Sequence, residues 1–598
     1  MNLRILLLVT ALGGLAACTG GEADAPARQV MDGAVKNQVR IAIKSEPVGL
    51  NPVLSVQNIS RYVTEQIFQT LNDYDPETFE LVPLLASVPT LEPDPSGQGG
   101  TVYRYTIDSL ATWPNGTPVT AHDVAFSLKA IMNPLVRSGP YRPYYEMVRE
   151  VQPEPEDDRS FRIVTRRPYI LAAEALADLY VYPAYAYDPD DLLRRIPLAA
   201  LTDPTRSSRS LLRDYPELRT FADRFNDPEV GFNPDRIVGS GPYALVDWVP
   251  GQELLLRRRD NYWAGERTAA RFVAVSRELR FRIIADNTTT INALRDQAVD
   301  VVLDLPEDEF LQLRDDPYLT QFYDFRAVPG FKYFSILLNQ DDPLLRDSLT
   351  RRALAHIIDV DQLIDQLLPG LARRIVGPVL PTKAYYNETL TEIPYDLDHA
   401  RELLRQAGWE DTNGDGTLDR LINGQRRELR FQLLSYPTPT SEAITLVTAE
   451  GARKVGIGIE VIRREPRSLL ASLDAGNFTA SIYGQGFEPT PDDFSQVWLS
   501  TSVPPNGTNR SNFRSAEADS LIRRIATMTD EEQRADLYRR FQEIVYANQP
   551  MIFLYSPYDR IVVAKRFDYE VTSIAPNLKF NALRLTSSSA PDPSTTAE

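Results

Sequence analysis

Three histidines and one cysteine are the side chains with which this 598-residue chain could do nucleophilic or proton-transfer chemistry. His122, His356 and His399 stand far apart in the sequence, each in a predicted helix, which favours surface or packing roles over catalysis. The chain contains no HExxH, GxSxG, Walker A or GxGxxG motif. Carboxylates are plentiful, but their spacing selects no catalytic pair. We therefore expect a protein that is not an enzyme and carries no cofactor; a lipid-anchored hydrolase is the least favoured alternative.

One acidic stretch, "DTNGDGTLD" at 411–419, has the spacing of oxygen ligands for calcium. The residues that match positions 1, 3, 5, 6 and 9 of an EF-hand loop are Asp411, Asn413, Asp415, Gly416 and Asp419. Position 12, which is normally a bidentate glutamate, is Ile422, and a strand is predicted to follow where an EF-hand has a helix. The pattern favours a turn without metal, with a weak calcium site on Asp411, Asn413, Asp415 and Asp419 as the alternative.

The cysteine, Cys18, ends the stretch "ILLLVTALGGLAAC". Its apolar run is shorter than the ~20 residues that a membrane-spanning helix needs, which is typical of a cleaved signal peptide. The residues at 15–18 resemble the bacterial lipobox, in which the thiol is alkylated by a diacylglyceryl group. We expect a signal peptide over 1–17, a lipid on Cys18 and a flexible linker over 18–35. An ordinary signal peptide with a chance cysteine is the alternative.

The composition is that of a soluble globular protein, with 43% hydrophobic and 24% charged residues. The net charge of −18 argues against nucleic acid and against anionic membrane surfaces as partners. No second segment is apolar and long enough to suggest a membrane span. The last residues, 587–598, are of low complexity and are predicted to be disordered.

Strand and helix patterns alternate along the chain, which predicts an α/β fold. Strands are expected at 39–43 and 102–107, and a hairpin around Pro250-Gly251. Helices are expected after the capping pair Thr120 and Asp123, and after Asp396.

Two further expectations concern local elements. Asp342 is expected to cap a helix that continues to 358. The region 185–238, rich in Pro, Asp and Arg, is expected to be irregular and to lie on the surface.

Nine stretches together resemble the oligopeptide- and dipeptide-binding branch of bacterial extracellular solute-binding proteins, family 5. Each stretch is weakly specific alone, but all nine occur in the family's order and cover about residues 38–570. They are "GLNP" (49–52), "IFQTLNDYDPETFELVPLLA" (67–86), "WPNGTPVTAHDVAFSL" (113–128), "VGSGPYALVDW" (238–248), "DNYW" (260–263), "INALRDQAVDVV" (291–302), "LNQDDPLLRDSLTRRALAHIIDVDQL" (338–363), "YDLDHARELLRQAGWEDTNGDGTLD" (395–419) and "VGIGIEV" (455–461).

The resemblance implies a periplasmic-binding-protein-like flytrap of type II, in which two lobes close on a ligand and a third lobe is inserted. The expected boundaries are 36–72 with 168–328 and 555–586 for lobe I, 73–167 for the inserted lobe II, and 329–554 for lobe III.

The resemblance also places the ligand in the cleft between lobes I and III. Members of the family carry Gly-Trp-x-x-Asp-Tyr-x-x-Pro there, and the aspartate often pairs with a peptide's α-amine. Here Gly486-Phe487 fits Gly-Trp, but Thr490 stands at the aspartate position, which puts a free α-amine ligand in doubt. A polar loop without a ligand is the alternative. Candidate cleft residues are Asn51, Ser55, Tyr333, Asn339, Tyr483, Gln485, Gly486, Phe487, Glu488, Asp492, Asp493 and Trp498.

The function implied is the substrate-binding component of an ABC importer, anchored by the lipid to the periplasmic face of a membrane, with a peptide as cargo. Its expected partners are a permease and an ATPase, and the chain is expected to be a monomer. Two alternatives stay open: a surface receptor or sensor without its own importer, and a binder of a nickel chelate, an oligosaccharide or an opine. The sequence does not decide between inner and outer membrane.

Overall fold

The structure is a computed structural model that describes residues 37–97 and 99–586. The predicted signal peptide (1–17), the lipidation site Cys18 and its linker (18–35), and the predicted tail (587–598) lie outside the described residues. The strands are β1 (Gln38–Ile43), β2 (Asn72–Tyr74), β3 (Leu81–Pro83), β4 (Thr90–Pro93), β5 (Thr101–Thr106), β6 (Val148–Glu154), β7 (Asp157–Thr165), β8 (Tyr243–Val249), β9 (Glu253–Arg258), β10 (Glu278–Ile283), β11 (Val301–Leu303), β12 (Tyr323–Pro329), β13 (Lys332–Leu338), β14 (Ala372–Arg374), β15 (Asp419–Ile422), β16 (Gln425–Glu428), β17 (Arg430–Ser435), β18 (Gly458–Arg463), β19 (Ala480–Gly486), β20 (Met551–Ala564), β21 (Phe567–Asp568) and β22 (Arg584–Leu585).

Helices alternate with strands and pairs of strands along the chain, so the fold is mixed α/β as the sequence predicts. They are α1 (Asn58–Thr64), α2 (Ala121–Met132), α3 (Arg142–Tyr145), α4 (Ala172–Ala177), α5 (Ala184–Tyr187), α6 (Leu198–Leu201), α7 (Ser208–Asp214), α8 (Glu217–Phe225), α9 (Glu229–Phe232), α10 (Asn287–Arg295), α11 (Glu307–Arg314), α12 (Leu319–Phe322), α13 (Ser348–Ala355), α14 (Val360–Leu367), α15 (Leu397–Gln406), α16 (Pro439–Lys454), α17 (Pro466–Asp474), α18 (Ser495–Trp498), α19 (Ala516–Ile525) and α20 (Glu531–Asn548), with 3-10 turns at Pro234–Arg236 and Phe580–Ala582.

A large sheet of twelve strands, counted over the described residues, runs through the molecule in the order β18-β17-β19-β13-β20-β11-β1-β10-β9-β8, with β12 and β14 also paired to β20. We call the part built on β1 and β8–β11 side A, and the part built on β13 and β17–β19 side B. A separate sheet of order β4-β5-β7-β6 lies within residues 73–167, where an inserted lobe is predicted.

Two chain segments join side A to side B. The first is β12 followed by β13, with only Gly330 and Phe331 between them. The second is β20, whose residues Met551–Tyr555 pair with β13 while Ile561–Val563 pair with β11. Two strand crossings of this kind allow the sides to move about a common axis, as in hinge-type domain closure. The lobe boundaries given above stay a prediction.

The hydrophobic core forms two large clusters. The first is continuous through both sides and includes Ile41 on side A and Ile482 on side B. The second lies in side B around Tyr333, Trp498 and Phe541. No helix in the described part of the chain has both the length and the apolar character of a membrane span.

Several local predictions are confirmed by the hydrogen bonds that start and end the elements. Asp123 accepts the backbone N–H of Thr120 at 3.0 Å, closing the capping box of α2. Asp396 accepts the N–H of His399 at 2.9 Å and starts α15, which ends before Gly408 at φ +81°. The hairpin of β8 and β9 turns at Pro250-Gly251.

Two predictions are wrong. Residues 185–238 are not irregular and superficial: they contain α6–α9, and the side chains of Leu218, Phe221 and Phe225 on α8 are buried in the first core cluster. Their spacing is helical, but the surrounding prolines obscure it, since a proline can also stand at a helix start. The helix expected from Asp342 begins later, at α13, where Asp347 accepts the N–H of Leu349 at 2.9 Å.

Candidate functional site

The site is a chamber between side A and side B, and α1 contributes its first wall. The glycines of the "VGSGPY" stretch fix this helix: a Cβ on Gly239 would stand 2.3 Å from the carbonyl oxygen of Ile67, so only glycine allows so close an approach. Gly241 donates its N–H to that same oxygen at 2.8 Å. Arg61 and Glu65 stand on this anchored helix and its C-cap, with the Arg61 Nε 3.5 Å from the Glu65 carboxylate.

The second wall is the loop that follows β19. Phe487 donates its N–H to the carbonyl oxygen of Phe331 at 2.7 Å, beside the crossing between the sides. Lys383, which is 6% exposed, donates its Nζ to the carbonyl oxygen of Glu488 at 2.7 Å and also to that of Thr490. The buried ammonium of Lys383 thus binds the backbone of the loop and not the carboxylate of Glu488. The side chain of Glu488 is exposed.

Asp492 also holds this loop in place. Its carboxylate accepts the hydroxyl of Tyr385 at 3.1 Å and lies 3.7 Å from Lys383. Burial raises the pKa of Asp492, while the charge of Lys383 opposes that shift. Asp492 is therefore already neutralised by protein and is not free for a ligand.

The third wall is the segment 169–178, in which Ala172 and Leu176 of α4 are buried in the first core cluster. Asp178 has an exposed side chain, and yet burial raises the pKa of its carboxyl to about 7, reinforced by the negative charge of Glu488. A group that is accessible and also surrounded by protein faces an enclosed space. Burial likewise raises the pKa of Glu174 to about 7.

Direct contacts close the chamber across the two sides. The hydroxyl of Tyr169 donates to the carboxylate of Asp493 at 3.0 Å. Ile170 donates its N–H to the carbonyl oxygen of Ala526 at 3.2 Å, and its side chain enters the core of side B. The rings of Phe79 and Phe331 meet edge to face at 5.2 Å. The structure is thus a closed form of the two sides.

Some polar atoms of these walls have no partner. The hydroxyl of Tyr74, the Nε of Arg61 and one carboxylate oxygen of Glu174 are buried without a hydrogen bond. Buried polar atoms in proteins almost always have partners, so unpaired atoms that line one space indicate a ligand or water that completes them.

Seven of the twelve sequence-predicted cleft residues gather at this wall of side B. Tyr333 donates its hydroxyl to Gln485 at 3.2 Å and its ring lies 5.2 Å from that of Phe487. Glu488, Asp492 and Asp493 follow on the same loop, and Gly486 ends β19 opposite Lys332. On side A, Asn51 accepts the hydroxyl of Tyr182 at 2.8 Å, and the buried hydroxyl of Ser55 has no partner.

The other candidates lie away from the chamber. Asn339 follows the opposite end of β13, donates to the carbonyl oxygen of Phe478 at 2.8 Å and borders a separate groove of about 550 Å³. Tyr483 receives a hydrogen bond from Arg510, and Trp498 packs against Phe513 and Phe541. Their roles as ligand contacts stay predictions.

The calcium-like loop and the histidines can also be placed. Asp411 accepts the N–H of Gly414 at 2.7 Å, and Asp419 is bound by Thr412 and Arg426, so protein groups satisfy both carboxylates. Across the described residues no group of three or more His, Cys, Asp or Glu side chains is arranged to hold a metal ion. His356 and His399, which are far apart in the sequence, pack against each other, with their ring centroids 4.7 Å apart.

Sequence reasoning missed the residues that define the chamber on side A: Arg61, Glu65, Glu174 and Asp178. Arg61 could have been recognised from the sequence. Most other residues of its helix are apolar or buried, and an arginine in such a helix is unusual unless it has a partner or a ligand. No comparable signal marks Asp178, which meets Glu488 only through the tertiary fold.

A closed chamber between two sides that are joined by two strand crossings defines a solute-binding protein of the type II flytrap class. The chain belongs to the bacterial extracellular solute-binding proteins, family 5, whose family model matches residues 80–506.

Relatives in this family carry different cargo. The chain is 23% identical over 581 residues to the oligopeptide-binding protein AppA of Bacillus subtilis, covering 95% of each chain. It is 25% identical over 528 residues to heme-binding protein A of Haemophilus influenzae, covering 85% of this chain and 84% of that one. The solved structure of AppA in complex with a nonapeptide matches with a TM-score of 0.65 at 20% identity, over 92% of this chain and 99% of that chain.

Proposed function

We propose that this chain is the substrate-binding component of an ABC importer and that it captures a peptide in the chamber between sides A and B. The observation that carries the proposal is the set of buried polar atoms without a hydrogen bond on Arg61, Tyr74 and Glu174, three side chains that all lie within electrostatic reach of Asp178. A peptide supplies both donors and acceptors for such atoms along its backbone. The oligopeptide-binding relative and its nonapeptide complex support the same ligand class.

Capture works through closure. A ligand stabilises the closed form only by contacts that it makes better there than in the open form. Here the contacts come from both sides at once: Arg61 from side A and the Glu488 loop from side B. The separation of the two faces in the open form would let the ligand enter.

The lipobox-like stretch that ends at Cys18 supports a placement in the cell. Lipidation of Cys18 would tether a soluble body to the periplasmic face of a membrane, beside a permease and its ATPase, with the body acting as a monomer. Two or more acyl chains give stable anchoring where one is marginal. A Cys18→Ala chain should move from the membrane fraction to the soluble periplasmic fraction; retention on the membrane would contradict the anchor.

The ligand class is tested by native mass spectrometry of the full chain purified from its host in detergent, followed by calorimetry with tripeptides. Co-purified or titrated peptides support the proposal, whereas binding of only sugars or metal chelates would reject the peptide part. Neighbouring permease and ATPase genes would favour an importer over a receptor.

The site itself is tested by substitution of Arg61. Arg61→Gln removes the charge from the chamber wall, and we expect a loss of peptide affinity on the order of tenfold, because a charge-assisted hydrogen bond to the ligand is replaced by a neutral one. Arg464→Gln is the matched control, since Arg464 is exposed and borders the separate groove. Equal affinity losses in both variants, or loss only in the control, would place the ligand elsewhere.

A further inference from the structure

The loop 488–493, which forms the chamber wall on side B, contains two prolines in the sequence "EPTPDD". Pro489 and Pro491 have no backbone N–H, so this stretch cannot continue the hydrogen-bond ladder of β19. The residues before them, Glu488 and Thr490, are restricted to extended conformations. In an extended chain the carbonyl groups of residues two apart point to the same side, so these two oxygens face the same neighbour.

That neighbour is the ammonium group of Lys383. Its Nζ donates to the carbonyl oxygen of Glu488 at 2.7 Å and to that of Thr490, and lies 3.7 Å from the carboxylate of Asp492. It also lies 5.5 Å from the centroid of the Phe331 ring, within the range of a cation–π contact. Two carbonyl oxygens, a carboxylate and an aromatic face together form a cage for a primary ammonium group.

The backbone that carries this ammonium is anchored in the core of side B. Lys383 donates its N–H to the carbonyl oxygen of Leu380 at 3.0 Å, and Leu380 is buried in the second core cluster. Just beyond, Gln542 of α20 donates to the carbonyl oxygen of Tyr385 at 2.9 Å and accepts the N–H of Asn387 at 3.0 Å. The ammonium therefore reaches the loop from a fixed base.

Within the described residues, the backbone of 488–492 is hydrogen-bonded only by side chains, and Lys383 supplies two of these bonds. The others involve Asp492, which donates its N–H to the hydroxyl of Tyr385 at 3.0 Å and accepts the hydroxyl of Tyr538 at its carbonyl oxygen at 2.5 Å. The two tyrosines hold only the end of the loop, so the position of the backbone before Asp492 depends on Lys383.

A buried ammonium is costly, because it loses its water. The side chain of Lys383 is 3% exposed, and an apolar side chain would fill this space without that cost, so packing alone does not account for a lysine here. We propose that Lys383 is a positioning residue whose charge sets the ligand-binding conformation of the loop 488–493. In that conformation the loop presents Glu488 to the chamber, and Asp493 accepts the hydroxyl of Tyr169 from the third wall. This inference rests on the proposed function and names a residue on which the affinity for the ligand depends.

The first test replaces Lys383 with methionine, which has nearly the same length and no charge. We expect Lys383→Met to bind Ala-Ala-Ala on the order of tenfold more weakly than the wild type in calorimetry, because the loop loses two charge-assisted hydrogen bonds. Lys129→Met is the matched control: Lys129 also donates to two carbonyl oxygens, those of Leu193 and Arg194, both at 3.1 Å, but outside the three chamber walls. An unchanged affinity in Lys383→Met, or an equal loss in both variants, would overturn the proposal.

A second test separates charge from packing. Lys383→Ala removes the side chain beyond Cβ, and the propylammonium ion matches the part removed. Propylammonium should restore most of the affinity that Lys383→Ala loses and leave that of the wild type unchanged, because its N–H donors can occupy the cage. 1-Propanol, which has the same length but is neutral, should restore little. Equal restoration by both compounds, or by neither, would contradict a role for the charge and overturn the proposal.

The loop can also be observed without ligand. A nitroxide label on Glu488→Cys in a Cys18→Ala background reports the mobility of the loop by electron paramagnetic resonance, since Cys18 is the only cysteine of the chain. We expect the label to become more mobile when Lys383→Ala is added and to slow again with propylammonium. A label whose mobility does not change would overturn the proposal.

These measurements separate this inference from the peptide proposal. If no peptide binds the wild type but the label responds to Lys383→Ala and to propylammonium, the positioning role stands and the peptide cargo fails. If peptides bind the wild type and both Lys383 variants equally, the cargo stands and the positioning role fails. Thermal melts of the ligand-free variants complete the test: if neither Lys383→Met nor Lys383→Ala folds, Lys383 supports the whole fold and the proposal is overturned.

Discussion

At the scale of single residues, Asp178 shows how an enclosed space changes the chemistry of an ordinary side chain. Its carboxyl is accessible, but burial and then the charge of Glu488 raise its pKa to about 7. The groups that face it are Glu488 on the loop after β19, Arg61 and Glu65 at α1, and Glu174 on α4. Arg61 opposes the shift and the three carboxylates reinforce it. The protonated fraction of the Asp178 carboxyl should therefore depend on the bound ligand.

A cationic ligand lowers the pKa of Asp178, so the complex binds fewer protons than the free protein. Affinity for a tripeptide such as Ala-Lys-Ala, when its lysine lies beside Asp178, should thus rise with pH up to about 7, the pKa of the free carboxyl, and level off above it. Calorimetry between about pH 5 and 7.5 measures this, since lysine stays charged throughout that range. Asp178→Asn should flatten the profile. A wild-type affinity that does not vary over this range would contradict the prediction.

The ligand-free protein should show the opposite trend in stability. The folded pKa of Asp178 is above its unfolded value of about 4, so the folded state binds more protons between these limits. The free energy of unfolding then falls as pH rises through about 7. This fall in the free energy of unfolding should be smaller in Asp178→Asn. Thermal melts of the ligand-free wild type and variant at each pH measure the difference.

At the scale of elements, the residues 169–171 form a strap that crosses the open edge of the chamber. The strap leaves side A just before α4 and reaches side B, where Ile170 is 9% exposed in the second core cluster. Its backbone is bonded to Ala526 and its Tyr169 to Asp493. It therefore stabilises the closed form without belonging to either strand crossing.

Ile170→Asp should weaken closure. A carboxylate placed in the apolar cluster of side B loses its water without gaining a cation, so the closed form becomes less stable relative to the open form. We expect the rate of peptide release, measured by stopped-flow fluorescence, to rise on the order of tenfold. Leu421→Asp, on an exposed hairpin residue, is the control and should release at the wild-type rate. An unchanged rate in Ile170→Asp would show that the strap does not hold the chamber closed.

The sequence predicts elements well where a local interaction defines them. The capping pair Thr120 and Asp123 needs no tertiary context, and neither does Gly408 at the end of α15. The helix α8 was missed because the prolines around it mark helix starts and loops alike. The chamber wall on side A could not be predicted, because Asp178 and Glu488 are far apart in the sequence and are brought together only by the tertiary fold.

At the scale of the whole molecule, closure depends on two strand crossings and on the strap at 169–171. Gly330 lies in one crossing, where a Cβ would come within 3.0 Å of the carboxylate of Asp559 on the other. The two crossings are thus packed against each other, and opening must occur mainly by release of the strap. This arrangement predicts a ligand-free form that is more extended than the structure described here.

A covalent bond across the strap should lock the closed form. Ile170 and Ala526 share a backbone hydrogen bond of 3.2 Å, which brings their Cα atoms into the range of about 4.4 to 6.8 Å that a disulfide spans. Cys18 is the only cysteine of the chain, so the double variant Ile170→Cys with Ala526→Cys on a Cys18→Ala background offers one possible pair of thiols. When oxidised without ligand, it should bind peptide much more slowly than when reduced. Small-angle scattering should show a smaller radius for the oxidised form, and a reduced form with that same radius would mean that the two sides do not separate.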